Sequence, residues 1–345
     1  MKKALIALAV LGAASGTVLA QSSVTLYGVA DIALGKAKSA GDKKIGAQSN
    51  SPVTDGTSRV GLTGKEDLGG GLYAGFTFES GVNLANGAGG DGGVAGGALW
   101  SRTAILTLGS KSFGTVALGR NYTPGFDGVA TYELTGLANY SVMANTYGFG
   151  GYPDPRHNAQ IKYSTPSFAG ASAELAYIPK AQGGVVNDGV PNQSDRWDFN
   201  LVYDQGPIKA AATINKANRT KNTNGPNGNK ASWSLGGSYT FGKTFALSAS
   251  YHRANSALIW QGAGVPRWGV RRYGFELGGS FFAGPFTVTL DLTRDTKNEV
   301  YGTNKKYTNG VLAGKYNLSK RTYLYADYLR LDGDNNYGLG VRHNF

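Results

Sequence analysis

The segment F-T-V-T-L-D-L at residues 286 to 292 puts Phe286, Val288, Leu290 and Leu292 on one parity and Thr287, Thr289 and Asp291 on the other. A period of two marks a β-strand with one apolar and one polar face. The pattern returns at Trp197, Phe199, Leu201 and Tyr203 against Asp198 and Asn200, and at Trp233, Leu235, Tyr239 and Phe241 against Ser234 and Ser238. In a soluble sandwich the apolar face points to a core. In an outer-membrane barrel it faces lipid, and the polar face lines a wet lumen.

The number and spacing of strands separate these readings. About sixteen such segments run from Ser23 to Phe345. Their connections alternate in length: Glu66 to Gly70, Ala283 to Pro285 and Leu318 to Arg321 are short, whereas Gly81 to Leu99 and Ala217 to Lys230 are long and rich in Gly, Asn or Lys. Short turns on one side and long loops on the other fit a transmembrane antiparallel barrel and have no counterpart in a sandwich. About sixteen strands leave an aqueous channel, where about eight would be filled by side chains.

Residues 1–20 read as a cleaved signal peptide: Lys2 and Lys3, an apolar run from Ala4, and Val18-Leu19-Ala20 before polar Gln21. Residues 21–345 are then one β-barrel domain. No stretch of it approaches the ~20 apolar residues of a membrane helix. Cysteine is absent, so disulfides and thiolate chemistry are excluded. Lys plus Arg exceed Asp plus Glu by 34 − 22 = 12, or by 10 once Lys2 and Lys3 are removed. The basic residues are dispersed and form no nucleic-acid motif, so nucleic acid is no expected partner and a path for anions suits the charge better.

Residues 121–156 form the longest segment without alternation. It opens N-Y-T-P-G-F-D-G and contains Phe126, Tyr132, Tyr140, Tyr147 and Phe149. Those aromatics are too many for a solvated linker, and a long structureless segment is normally functional. We expect it to fold into the lumen as a constriction, with its aromatics against the inner wall and the strand at Arg102. From Trp100 to Leu108 both faces carry apolar residues, Ala104, Leu106 and Leu108 on one and Ile105 on the other. The inward loop on one side and a neighbouring subunit on the other would cover such a strand. Gly28 and Gly340 are small residues that permit close subunit packing, and Arg120, on the parity of Val116 and Leu118, points to the same contact.

Parity sends Arg59 inward with Thr63 and Lys65, and Arg156 inward with Asn158, Gln160 and Lys162. Arg102 stands on the side assigned to the loop. Glu133, Asp127 and Asp154 are the loop carboxylates able to oppose them, with Glu133 preferred. Of the three histidines, His343 and His157 fall on the outer parity, and His252 points inward. No nucleophile motif or metal-ligand spacing accompanies them, so catalysis, metals and cofactors are not expected.

Several stretches carry a family likeness: V-T-L-Y-G at 24–28, S-R-V-G-L-T-G-K-E-D-L-G-G-G-L at 58–72, F-G-T-V-A-L-G-R at 113–120, I-K-Y-S-T-P-S-F-A-G at 161–170, L-S-K-R-T at 318–322, and the final G-L-G-V-R-H-N-F. In this order they resemble the general porins of Gram-negative outer membranes, particularly the β-proteobacterial anion-selective branch. The resemblance implies a sixteen-stranded trimeric diffusion channel for small hydrophilic solutes, with the third external loop bent into each pore. It implies that Arg59, Arg102 and Arg156 form a basic ladder at the narrowest point, faced by a loop carboxylate. It also implies that Phe345, closing an alternating strand, signals to the outer-membrane insertion machinery. A channel selective for phosphate or organic acids, and a structural or adhesin barrel, are the competing readings.

Overall fold

The computed structural model describes residues 23–90, 98–151, 155–180, 186–187, 190–191, 195–217, 230–259, 267–300 and 304–345. The leader at 1–20 and the loop acid Asp154 lie outside them. The first eight strands of the ring are β1 (Ser23–Lys36), β2 (Arg59–Gly69), β3 (Leu72–Gly81), β4 (Thr103–Ser110), β5 (Gly114–Tyr122), β6 (Arg156–Ser164), β7 (Ala171–Ile178) and β8 (Arg196–Gln205). The second eight are β9 (Ile208–Ala217), β10 (Ser232–Phe241), β11 (Phe245–Ile259), β12 (Arg267–Ala283), β13 (Phe286–Asn298), β14 (Thr308–Asn317), β15 (Thr322–Leu331) and β16 (Asp334–Asn344). Each pairs antiparallel with its neighbours in sequence, and β1 closes the ring on β16. One further strand of the same sheet, Gly46–Gln48, lies outside the ring and pairs with Ala33–Gly35.

Alternation decides what each face meets. On β13, Phe286, Val288, Leu290 and Leu292 are exposed, while Thr289, Asp291 and Thr293 are buried on the lumen side. Leu201, Leu235, Leu277, Leu312 and Leu339 extend the exposed apolar face around the ring. In water such a surface would drive aggregation; in hydrocarbon it is the matching solvent. Aromatic pairs sit beside the short turns, Phe241 with Phe245 and Phe286 with Tyr316, as interfacial girdles require.

The seam depends on one glycine. Phe345 exchanges backbone hydrogen bonds with Gly28, each N–H donating to the other's carbonyl at 3.0 Å. A Cβ on Gly28 would lie 2.3 Å from the Phe345 ring and 2.7 Å from the Arg59 carbonyl oxygen. The small residue expected at a subunit contact is thus occupied within its own chain. Gly340 does not face outward: it is buried on the lumen side, and a Cβ there would lie 2.3 Å from the Tyr325 ring lying across it.

The inward loop is not structureless. Thr123 accepts from the Phe126 N–H and Pro124 takes the first turn, which starts α1 (Pro124–Tyr132). Ser141 accepts from the Ala144 N–H and starts α2 (Val142–Tyr147). The loop's two ends meet where the Thr123 N–H donates to the Pro155 carbonyl at 2.9 Å. From there α1 packs on β8 and β9, and α2 on β12, β13 and β15. Two wall glycines are notches for loop tyrosines: a Cβ on Gly236 would lie 2.3 Å from Tyr132, and one on Gly274 would collide with the Tyr147 hydroxyl. Val129 and Met143 are fully buried with these rings and Val142 with Tyr140, and each such burial stabilises the loop by roughly 1.5–3 kcal/mol.

The loop therefore lies against the wall opposite Arg102, and this corrects the expected packing on β4. That strand alternates normally: Leu106 and Leu108 are exposed outward, and Thr103, Ile105 and Thr107 take the other parity. The connection from Gly35 to Thr57 also turns in. Val53, Thr54, Asp55 and Ser58 are buried, and Ser58 both donates to the Asp31 carbonyl and accepts from its N–H.

Replacing Gly28 by Val should displace the Phe345 ring and cost about 1–3 kcal/mol, as overpacking usually does. The unheated, folded band in electrophoresis should then convert to the unfolded position at a lower temperature than in the wild type.

Candidate functional site

On one wall the lumen carries a basic cluster built across β1 to β6. Arg59 begins β2 on its polar parity, and Glu79 lies on the neighbouring β3, opposite Gly61. Glu79 accepts from Arg102 Nε at 2.7 Å and from the Tyr27 hydroxyl at 3.0 Å, and Arg59 Nε stands 3.3 Å from its second oxygen. Arg102 also donates to the Tyr122 hydroxyl at 3.2 Å, and the Arg156 guanidinium lies 3.9 Å from the centroid of the Tyr122 ring. Arg59, Arg102 and Arg156 thus converge where the inward loop leaves the wall. Arg102 precedes the first residue of β4, so its inward direction comes from the bend there and not from strand parity.

Of the loop acids among the described residues, neither Glu133 nor Asp127 faces that cluster. Glu133 is turned into the loop, where it accepts from Thr135 and Ser141 hydroxyls at 2.6 and 2.7 Å and from the Leu137 N–H at 2.8 Å. Asp127 meets Lys162 at 2.6 Å, and Lys162 also reaches Glu174 at 3.4 Å. Among the described residues the carboxylate that tempers Arg59 and Arg102 is Glu79, on their own wall. Its polar parity on β3 was legible in the sequence, but its pairing partner was not.

A second charged cluster holds the far end of the loop. Asp55, in the inward-turned segment, accepts from the Tyr140 hydroxyl at 2.6 Å and pairs with Lys315 at 2.5 Å and Arg342 at 2.9 Å. Tyr323 donates to the same carboxylate at 2.5 Å, and Asn139 donates to Thr54 at 2.8 Å. Burial pushes the Asp55 carboxyl up, but the Lys315 charge and the bonds from Lys315, Tyr140 and Tyr323 outweigh it and hold the group below the ordinary carboxylate range. Lys315 and Arg342 lie on the inward parity of β14 and β16, a signal that parity alone offered.

Of the described groups, the cations Arg59, Arg102, Arg156, Lys315 and Arg342 line the lumen with the carboxylates Glu79, Asp55 and Asp31, and Asp327 lies beside the last two. Arg59, Lys315 and Arg342 keep 23%, 26% and 16% of their side chains exposed, so these cations are presented to solvent. Asp31 and Asp55 are all but closed off.

The histidines differ from the parity reading in one case. A register shift between Gly119 and Asn121, with Ala159 at φ 50°, breaks alternation on β6. His157 is consequently buried, 3.0 Å from Arg196, and not on the outer face. His252 is fully buried behind α2, stacked on Tyr147 and 2.7 Å from the Ser250 hydroxyl. Arg120 donates within its own chain, to the Ser101 carbonyl and to Asn158.

Asp55→Asn should loosen the loop, because removing one partner of a buried pair costs about 3–5 kcal/mol. Single-channel records should show more frequent closures, together with stronger anion preference from the released Lys315 and Arg342. In the wild type the folded value is depressed, so this tie is complete above the unfolded value of about 3.9 and is lost as pH falls through the folded one. Closures should therefore appear in wild-type records only below about pH 4.

Comparison with known proteins places this geometry. A family model described as Gram-negative porin matches residues 7–336. "Outer membrane porin protein 32" of Delftia acidovorans is 33% identical over 99% of this chain and 93% of its own length. An outer membrane porin protein of Bordetella pertussis is 29% identical over the whole of both chains. Among solved structures, an anion-selective porin from Comamonas acidovorans superposes with a TM-score of 0.71 at 27% identity, covering 94% of this chain and 100% of that one. OmpF of Salmonella typhi reaches the same TM-score at 16% identity, covering 94% and 98%, a likeness of fold. Closed ring, inward loop and full-length sequence match agree: the chain belongs to the Gram-negative porin family and is an outer-membrane porin.

Proposed function

We propose that this porin is a passive, anion-preferring diffusion channel for small hydrophilic solutes, exported with residues 1–20 as its leader and assembled as a trimer. The observation that supports the anion preference is the uneven charge of the constriction. Among the described residues the close carboxylate of the arginine cluster is Glu79, shared between Arg59 and Arg102, while the loop acids Glu133 and Asp127 are engaged elsewhere. Rings of basic side chains favour anions. Two unit charges ~4 Å apart interact by ~1 kcal/mol in bulk water and ~4 kcal/mol at an effective dielectric near 20. A narrowed, protein-walled passage lies between these limits, and 1.4 kcal/mol is about tenfold in partitioning.

Trimer formation rests on the family likeness and on the exposed outer faces of β1, β16 and the region from Arg59 to Arg120. Phe345 as an insertion signal rests on the same likeness. Nothing in the family or fold calls for catalysis, a metal or a cofactor.

The selectivity reading is tested by replacing Arg59, Arg102 and Arg156 with Ser together with Glu79→Gln, which avoids leaving a buried carboxylate unpaired. The reversal potential in a salt gradient should move toward neutral or cation preference with trimers intact. Glu79→Gln alone should move it the other way. Full anion selectivity in the quadruple variant would transfer the effect to the charge spread over the external loops.

A further inference from the structure

Tyr122, the last residue of β5, stands where the arginine wall meets the inward loop. Alternation would send it outward with the exposed Val116 and Leu118. The register shift between Gly119 and Asn121 breaks that period, and such irregularities re-aim side chains. Gly119 makes the shift possible: it sits at φ 127°, where a Cβ would lie 2.1 Å from the Ala104 carbonyl oxygen. Tyr122 thereby faces Arg156, its partner across the strands, and the helix α1 that starts two residues later.

Both faces of the ring and its hydroxyl are used. The Arg156 guanidinium lies 3.9 Å from the ring centroid, and Phe126 of α1 stacks on the ring with 4.0 Å between centroids and 17° between planes. One face has no room for both, so they take opposite faces. The hydroxyl accepts from Arg102 at 3.2 Å. Phe126 in turn meets Phe149, just beyond α2, at 5.1 Å. The ring is thus fixed from the loop side, and the Gln160 side chain, donating to the Tyr122 carbonyl at 2.9 Å, fixes its backbone from the wall side. The two arginines that touch Tyr122 are the recessed ones. Arg102 and Arg156 keep 4% and 5% of their surface exposed, whereas Arg59 keeps 23% of its side chain exposed.

We propose that Tyr122 is the positioning residue of the arginine wall: its ring holds Arg156 flat, its hydroxyl helps hold Arg102, and the passage beside them is kept clear. An arginine side chain is long and rich in rotamers, and once released at a wall it sweeps the space in front of it. A planar guanidinium stacked on an aromatic face keeps its charge and loses that freedom. The charge then acts on a passing solute as a fixed field, and the group carrying it is no obstacle. This inference concerns the width of the passage and stands apart from the anion preference, which the reversal potential reads. Its direction is opposite to that of side-chain bulk. Trimming Tyr122 removes atoms from the wall, yet it frees Arg156 to enter the lumen, so the passage becomes narrower.

The test is liposome swelling with the intact porin, comparing a neutral disaccharide with a neutral pentose so that solute charge plays no part. In Tyr122→Leu the disaccharide-to-pentose rate ratio should fall about two- to fivefold, the factor by which the weaker cation–π contacts favour one rotamer over another. Tyr122→Phe keeps the ring and should retain most of the wild-type ratio. Adding Arg156→Ser to Tyr122→Leu removes the freed group and should bring the ratio back to the wild-type value or above it. Rotamer changes take nanoseconds, so single-channel records of Tyr122→Leu should show no added closures. The unheated, folded band in electrophoresis reports folding, and Tyr122→Met carries the same comparison if the leucine variant does not fold. The proposal is overturned if the ratio stays level or rises in the ring-less variant, since bulk alone would then set the width. It is also overturned if the lowered ratio persists once Arg156→Ser is added, or if it comes with long closures, either of which would make Tyr122 a support of the loop.

Discussion

Hydrocarbon cannot accept a hydrogen bond, and every other feature of this porin depends on that constraint. Each backbone N–H and C=O of a spanning segment must be paired inside the protein, so a sheet crossing the membrane has to close. Here closure falls on β1 and β16, from the register Val29 with Asn344 to Lys36 with Tyr337, and on the exchange between Gly28 and Phe345. Once the ring is closed, alternation has one outcome. Leucines face lipid, and Asp, Asn, Ser and Thr face a lumen too wide for them to fill.

That width makes the inward segments necessary. A wet lumen of sixteen strands selects little by itself, and narrowing it means bringing irregular backbone to membrane depth. Such backbone is tolerated only where it is buried in protein or lines water. The loop meets the requirement with two capped helices, with tyrosines seated at Gly236 and Gly274, and with the tie from Tyr140 to Asp55. Fixing the loop to the wall of β8, β9 and β12 to β15 leaves the arginine wall of β2 to β6 facing the passage. The placement of charge is thus a consequence of where the loop can be packed. Glu133 and Asp127 stabilise the loop and its contact with Lys162, so they do not oppose the arginines.

A period of two made much of the molecule legible in advance. The strands, the exposed leucines and the inward direction of Arg59 could all be read from parity. Reading failed where the backbone leaves that period. Ala159 at positive φ moves His157 to a buried position beside Arg196, and Arg102 turns inward because it stands ahead of its strand. Asp55 lies in an irregular segment, where no pattern announces that four side chains will converge on one carboxylate. Glu79, Lys315 and Arg342 lay on the inward parity; what the sequence lacked was the cross-strand register that brings Glu79 to Arg59. The helices α1 and α2 had local signals in Thr123-Pro124 and Ser141, obscured by the aromatic content of the loop.

The central claim is that excess positive charge at the constriction, not the pore's size alone, sets which ions pass. The direct measurement is the reversal potential of the wild-type channel across a fixed salt ratio, repeated at low and high mean ionic strength. The Debye length falls from ~10 Å at 0.1 M to ~3 Å at 1 M. The account predicts clear anion preference at the low concentration that shrinks markedly at the high one. A reversal potential that stays near zero or indicates cation preference at 0.1 M would contradict it.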